Sequence, residues 1–186
     1  AGPAPFPAGL TITTPAREGV APNNTAAALR APLHGPWWDA AKPCDFVGVQ
    51  TYTRVRVGED GPLPAPAGAE MTDAGYEFYP RALGTSIRYA ALRTGKPIYV
   101  TENGIATNND ARRVAYIADA LDELRKARAD GVDVRGYFHW SLLDNFEWTS
   151  GYAQRFGLIA VDRRTFERTP KPSAFYLGTI AKKDLL

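Results

Sequence analysis

The sequence predicts an α/β fold, and three observations carry that prediction. From residue 45 onward short apolar runs alternate with segments of helical period, the pattern of parallel strands joined by crossover helices. Composition is that of a packed globular chain, 45% hydrophobic, 11% aromatic and 23% charged over 186 residues, which argues against disorder. The densest clusters of chemically useful residues fall just past the ends of the apolar runs, where α/β proteins converge their loops.

The first clear strand is Phe46-Val47-Gly48-Val49-Gln50-Thr51-Tyr52, β-branched and aromatic. Residues 58–69, rich in Gly, Pro and Ala, read as a loop, and a long loop past a strand end is a functional hint. A helix is expected from Pro80 to Thr94, with Leu83, Ile87, Ala90, Ala91 and Thr94 at helical spacing and Gly95 as its stop. Pro97 to Thr101 reads as a second buried strand. The polar stretch Glu102 to Asn109 then leads into a helix capped by Asn109 or Asp110. Its apolar stripe is Val114, Ile117, Ala118, Leu121 and Leu124, its basic run Arg125 to Arg128 a solvated face, and Gly131 its end.

Val132 to Trp140 is a third strand, Phe156 to Val161 with Phe166 to Thr169 a hairpin, and Pro172 to Lys182 a closing helix with proline in its first turn. Ahead of residue 45 the signals are Leu10 to Thr14 as a strand and Thr25 to Arg30 as a short helix. No internal repeat and no domain boundary is visible, so residues 1–186 form one unit. A closed eight-stranded barrel needs about 250 residues. Four strands at this spacing supply half of one.

Several function classes drop out. Lys and Arg number 22 against 20 Asp and Glu, so the net charge is +2 and no basic stripe offers itself to a nucleic acid. No apolar run approaches the roughly 18–20 residues of a membrane span, and AGPAPFPAGL lacks the charged start of a signal peptide. The single Cys44 forms no internal disulfide and fits a reducing compartment, so a cytoplasmic location is expected. The lone Met71 leaves residue 1 exposed either by removal of an initiator methionine or by truncation.

Three strand ends carry the chemistry. The first delivers Gln50 and Tyr52, the second Glu102 and Asn103, the third Ser141, Asp144, Asn145, Glu147 and Trp148. A carboxylate, an indole and amides together suit a carbohydrate: tryptophan covers the C–H face of a sugar while Glu, Gln and Asn bind its hydroxyl edge. The bland alternative is core aromatics and capping acids.

The strings TENG at 101–104 and YFHWSLLDNFEWTSGYAQRFGL at 137–158 decide between them. They closely resemble glycoside hydrolase family 1, the β-glucosidase and β-galactosidase group. DFVGVQTYTR at 45–54 is similar to that family's sixth barrel strand, TDAGYEFYP at 72–80 to the segment entering the next helix, and KPSAFY at 171–176 to its closing helix. The resemblance implies the C-terminal half, about strands 5–8, of a (β/α)8 TIM barrel. It also implies a β-glycoside substrate, no cofactor and no metal.

Carried over by resemblance, Glu102 matches the family's catalytic nucleophile and Tyr52 the tyrosine aimed at it. Glu147 matches the acid that grips sugar hydroxyls, Trp140 and Trp148 shape the same subsite, and Phe156 resembles the aromatic lining beside it. With Gln50 and Asn103 these make up the expected substrate-binding set. The resemblance further implies a non-proline cis peptide at Trp140-Ser141. Retaining hydrolysis fits, because it needs a nucleophilic carboxylate and a second carboxyl acting as acid and base.

This sequence departs from the family at several points. Gln50 stands where many members have Asn, Thr51 where they often have Tyr, and His139 where a β-branched residue is common. His139 has no His or Cys neighbour at ligand spacing and reads as a core histidine; His34, in a Pro/Gly loop, reads as exposed. Trp37 and Trp38 read as anchors for the chain entering the first clear strand, and Asp144 as a loop-fixing acceptor. The largest departure is an absence. The family's acid/base glutamate lies in an Asn-Glu-Pro motif, and this sequence contains no such tripeptide.

The chain alone is therefore expected to be nearly inert, and an open half barrel leaves two edge strands and an inner face to be covered. The leading expectation for the cover is a complementary N-terminal half barrel. The alternative is a homodimer, in which the chain acts as a non-catalytic sugar-binding or self-assembling module. A weaker third reading makes Glu102 and Glu147 the whole carboxylate pair.

Overall fold

The computed structural model describes residues 6–21 and 35–183. The expected helix over Thr25 to Arg30 and the loop holding His34 lie outside the described residues.

Four strands form a parallel sheet: β1 (Gly9–Thr13), β3 (Phe46–Gln50), β6 (Ile98–Asn103) and β7 (Val134–His139), in the order β1-β3-β6-β7. Neighbours in the sheet follow chain order, each joined to the next through a crossover, which is the winding of a barrel wall. Residues 35–41 are helical between β1 and β3. Helix α1 (Ala82–Thr94) joins β3 to β6, α2 (Asp110–Ala129) joins β6 to β7, and α3 (Pro172–Lys182) closes the chain.

One face of the sheet is dry. Ile12, Val47, Val49, Ile98 and Val100 bury there against Leu83, Ile87 and Ala90 of α1, Ile117, Leu121 and Leu124 of α2, and Ile180 of α3. Trp38 belongs to this core, meeting the Tyr89 ring edge-on at 5.7 Å. It anchors the chain as expected; Trp37 does not, being exposed. The opposite face carries Thr11 and Thr13, the edge-to-face pair Phe46 and Tyr99 at 5.0 Å, and Phe138, which is 59% exposed. This inner face is the open one.

Both crossover helices end and begin where expected. Gly95 takes the left-handed φ of 65° and returns its N–H to Ala91 O, a cap that costs a residue with Cβ energy. Asn109 caps α2 by accepting from Ala111 N at 3.1 Å. The buried stripe of α2 is rotated from the expected one: Arg113, Tyr116 and Ala120 are inside with Ile117, Leu121 and Leu124, while Val114 and Ala118 are only partly covered. Counting apolar residues misplaces the face because Arg113, through its two terminal nitrogens, and Tyr116, through its hydroxyl, are buried with hydrogen-bond partners. Arg113 donates to Thr107 O at 2.7 Å, Arg155 O at 2.8 Å and the Asp110 carboxylate.

Beyond the C-terminal ends of the sheet, β2 (Ala16–Gly19) and β4 (Arg54–Gly58) continue in parallel, and β5 (Gly61–Leu63) folds back antiparallel on β4. This corrects the expectation that residues 58–69 are only loop: Gly58-Glu59-Asp60-Gly61 is a hairpin turn, and Pro62 sits on an edge strand where a missing N–H costs little. The hairpin near the C-terminus is β8 (Ile159–Val161) with β9 (Arg168–Pro170). It starts later than expected, because Phe156 to Leu158 run beside the end of β7 instead. No helix among the described residues is long and apolar enough to cross a membrane.

Candidate active site

The C-terminal ends of β1, β3 and β6 meet around Glu102. Strict alternation along β6 would send Glu102 to the same side as Ile98 and Val100, into the core. A register shift opposite Val49 and Gln50 re-aims it, so Gln50 pairs directly with Glu102. Turning one side chain out of a strand's alternation is what a bulge does near a site.

Each oxygen of the Glu102 carboxylate meets one donor. The Tyr52 hydroxyl donates to Oε2 at 2.6 Å, and the Gln50 amide nitrogen donates to Oε1. The Gln50 amide is itself oriented, because Thr13 Oγ1 donates to its oxygen at 2.9 Å from the facing end of β1. Burial first, then the Glu102 carboxylate, pushes the Tyr52 phenol well above its ordinary range, and the Glu147 charge adds to the shift. Tyr52 therefore stays protonated and remains a donor.

Around β7 a second group assembles. The indole of Trp140 donates to Glu147 Oε1 at 3.0 Å, and the Trp140-Ser141 peptide is cis. The loop from 141 to 158 is pinned by Asp144, which accepts from Gly157 N at 2.9 Å and from Lys171 Nζ at 2.9 and 3.0 Å. That is the loop-fixing role expected of it. Gly104 lets this group approach β6: a Cβ there would lie 1.9 Å from Trp140 O. Trp148 stands at the rim, 85% exposed.

Two expected binding residues prove to be buried supports. Asn103 is 0% exposed, and its amide is spent on the protein, donating to Thr51 O at 2.8 Å and Tyr116 Oη at 3.1 Å while accepting from Tyr137 Oη at 3.0 Å. It faces the helices because the bulge reverses its side along with that of Glu102. Phe156, 4% exposed, lines no open surface; it packs edge-on against the Tyr52 ring at 5.9 Å. His139 lies in the same layer, its Nδ1 3.5 Å from Tyr137 Oη. Burial, with the Arg113 charge adding, pulls it down to about 3, so it is neutral.

Sequence reasoning missed Thr13, whose signal was its place at the end of a strand register-matched to Gln50. It also missed the wall of a cavity of about 400 Å³ that opens beside Gln50 and Tyr52, with Arg54, Leu63, Met71 and Tyr76 among its lining. Arg54 holds that wall together by a fork onto Glu77 (2.9 and 2.7 Å) and a third bond to Glu18 at 2.8 Å. Among the described residues no group of three or more His, Cys, Asp and Glu could hold a metal ion.

Residues 42–185 match the model of Glycosyl hydrolase family 1. A β-galactosidase of Sulfolobus acidocaldarius is 38% identical over 161 residues, covering 78% of this chain and 33% of the relative. The solved apo structure of β-glucosidase 1317 superimposes with a TM-score of 0.91 at 51% identity, covering 95% of this chain and 44% of that one. The β-glycosidase BGL167 gives 0.91 at 45%, covering 97% and 43%. The chain thus spans about a third of the curated relative's length and less than half of either solved chain. With four parallel strands wound in barrel order and residues 42–185 matched by the family model, the chain belongs to glycosyl hydrolase family 1 and forms part of that family's (β/α)8 barrel.

Proposed function

We propose that this chain is the nucleophile-bearing half of a retaining β-glycosidase, acting on terminal β-D-glycosyl residues once a front half barrel covers its open face. The observation that carries this reading is the carboxylate of Glu102 held at the strand ends between the Gln50 and Tyr52 donors. Such donors fix the direction of the carboxylate, which is what a carboxylate nucleophile needs.

In the first step a Glu102 oxygen bonds to C1 of the sugar as the C1–O bond to the leaving group breaks. The departing oxygen takes its proton from a carboxylic acid outside residues 1–186. In the second step water attacks C1, its proton passes to that now ionised acid, and the C1–Glu102 ester bond breaks to free the sugar and the carboxylate. Glu147, Trp140 and Trp148 hold the sugar, the indole covering its C–H face and the carboxylate accepting from its hydroxyls. The cavity beside Tyr52 receives the leaving group. Without the external acid the rate falls by about 10²–10⁴, which would leave the chain by itself nearly inert.

The open inner face with its exposed Phe138 calls for a cover, and the solved relatives' chains run on for more than half their length beyond the matched part. The test is a chimera: the front portion of β-glucosidase 1317 fused ahead of this chain and assayed with an aryl β-glucoside. Hydrolysis that disappears on Glu102→Gln supports the reading; hydrolysis that survives it refutes the reading.

A further inference from the structure

We propose that Tyr116 of α2 is a positioning residue for the reaction, acting with Asn103 and Tyr137 through the backbone of Tyr52. The inference rests on the reading of Glu102 as nucleophile.

Tyr52 aims its hydroxyl at Glu102 from a segment that has left the sheet, and an extended loop of this kind must be fixed from elsewhere. Three bonds fix it. Thr51 N donates to Glu102 O at 3.0 Å, Asn103 Nδ2 donates to Thr51 O at 2.8 Å, and Tyr116 Oη donates to Tyr52 O at 2.7 Å. Two successive carbonyls are thereby held by side chains from β6 and α2, so the peptide planes on both sides of the Tyr52 Cα cannot rotate freely.

The donors are ordered in their turn. Tyr137 Oη donates to Asn103 Oδ1 at 3.0 Å, which sets the amide nitrogen toward Thr51 O. The second amide hydrogen goes to Tyr116 Oη at 3.1 Å, which commits the Tyr116 proton to Tyr52 O. Burial pushes both phenols above their ordinary range, so they remain protonated donors. Every polar group of this set is paired, and Asn103 and Tyr116 are shut away from solvent. A packing role for Tyr116 would need the ring only, which meets Phe78 edge-on at 5.5 Å. The hydroxyl serves Tyr52 and Asn103.

A double-substitution cycle in the chimera separates positioning from packing. The readout is the first-order rate of covalent labelling by 2,4-dinitrophenyl 2-deoxy-2-fluoro-β-glucoside, whose leaving group departs without acid help and so reports nucleophile attack. Tyr116→Phe keeps the ring and is expected to slow labelling about tenfold with the inactivator's Kd unchanged within twofold. Tyr137→Phe, a milder change that only frees the Asn103 amide, should slow it about two- to fivefold. Ile117→Val, a core change on the same helix, should leave the rate alone. In a Tyr52→Phe background Tyr116→Phe should add no further loss, because the group it positions is gone. A wild-type rate in Tyr116→Phe, or a loss that multiplies with that of Tyr52→Phe, overturns the positioning role while leaving the nucleophile reading intact. Failure of the unsubstituted chimera to label at Glu102 overturns both.

Discussion

The hydroxyl of Tyr52 and the carboxylate of Glu102 lie 2.6 Å apart, on segments fifty residues distant in sequence. Nothing local brings them together. Parallel pairing of β3 with β6 sets the two strand ends side by side, a bulge turns Glu102 outward, and the Phe156 ring supports Tyr52 from the other flank. The carboxylate then has one donor on each oxygen.

Removing the phenolic hydroxyl tests that relationship. A hydrogen bond to a charged group is worth about 1.5–3 kcal/mol. Tyr52→Phe in the completed barrel should therefore lower kcat/KM by roughly 10- to 100-fold, as read from initial rates on an aryl glycoside. An unchanged kcat/KM would mean the hydroxyl plays no part in the transition state.

Thr13 has a smaller effect of the same kind. It fixes which end of the Gln50 amide faces Glu102, a neutral hydrogen bond worth about 0.5–1.5 kcal/mol. Thr13→Val should cost about two- to tenfold in kcat, and Thr13→Ser should restore it. A loss that Ser does not restore would assign the effect to packing on the inner face.

Asp144 and Lys171 form a pair with side chains only 10% and 15% exposed. Burial pulls the Lys171 ammonium below its ordinary range, and hydrogen bonding to Asp144 opposes that. Asp144→Ala strands this charge and frees Gly157 N, so unfolding by urea should show a loss of roughly 3 kcal/mol. It should also loosen the 141–158 loop, seen as faster amide exchange at Gly157. A near-neutral change would remove Asp144 from the account of how that loop is held.

His139 makes a pH prediction. It is neutral in the fold down to about pH 3, whereas in the unfolded chain it titrates near 6.5. Between those values the unfolded state binds the extra proton, so stability falls as pH drops, with a slope of up to about 1.4 kcal/mol per pH unit from this one group. His139→Val should flatten the stability profile between pH 3 and 6.5 relative to the parent in urea titrations. Parallel profiles for the two proteins would show that His139 is solvated.

Much of the fold was legible because apolar period carries it: β1, β3, β6, β7, α1, α2 and α3 read directly from runs such as Phe46 to Gln50 and Ile98 to Val100, whereas the helical residues 35–41 ahead of β3 were not foreseen. The resemblance of the TENG and WSLLDNFEW strings singled out Glu102, Tyr52, Glu147 and Trp140, and the structure pairs Tyr52 with Glu102 and Trp140 with Glu147. Periodicity failed where polar groups are buried with partners. Arg113 and Tyr116 shifted the α2 stripe, and Asn103 looked like a ligand because strict alternation along β6 would turn it to the inner face. Only the bulge at the end of β6 reverses it, and a bulge leaves no mark in the residues themselves. Gln50's orientation likewise depends on Thr13, which pairs with it through strand register and not through sequence proximity.

The central claim is that Glu102 becomes the ester partner of a sugar's anomeric carbon. Incubating the chimera with the fluorinated dinitrophenyl glucoside, digesting it and sequencing the modified peptide by mass spectrometry tests this directly. The added fluoroglucosyl mass should sit on Glu102 in the peptide containing Thr101 to Gly104. Its appearance on Glu147 or on any other residue of the chain, in protein that turns over substrate, would contradict the account.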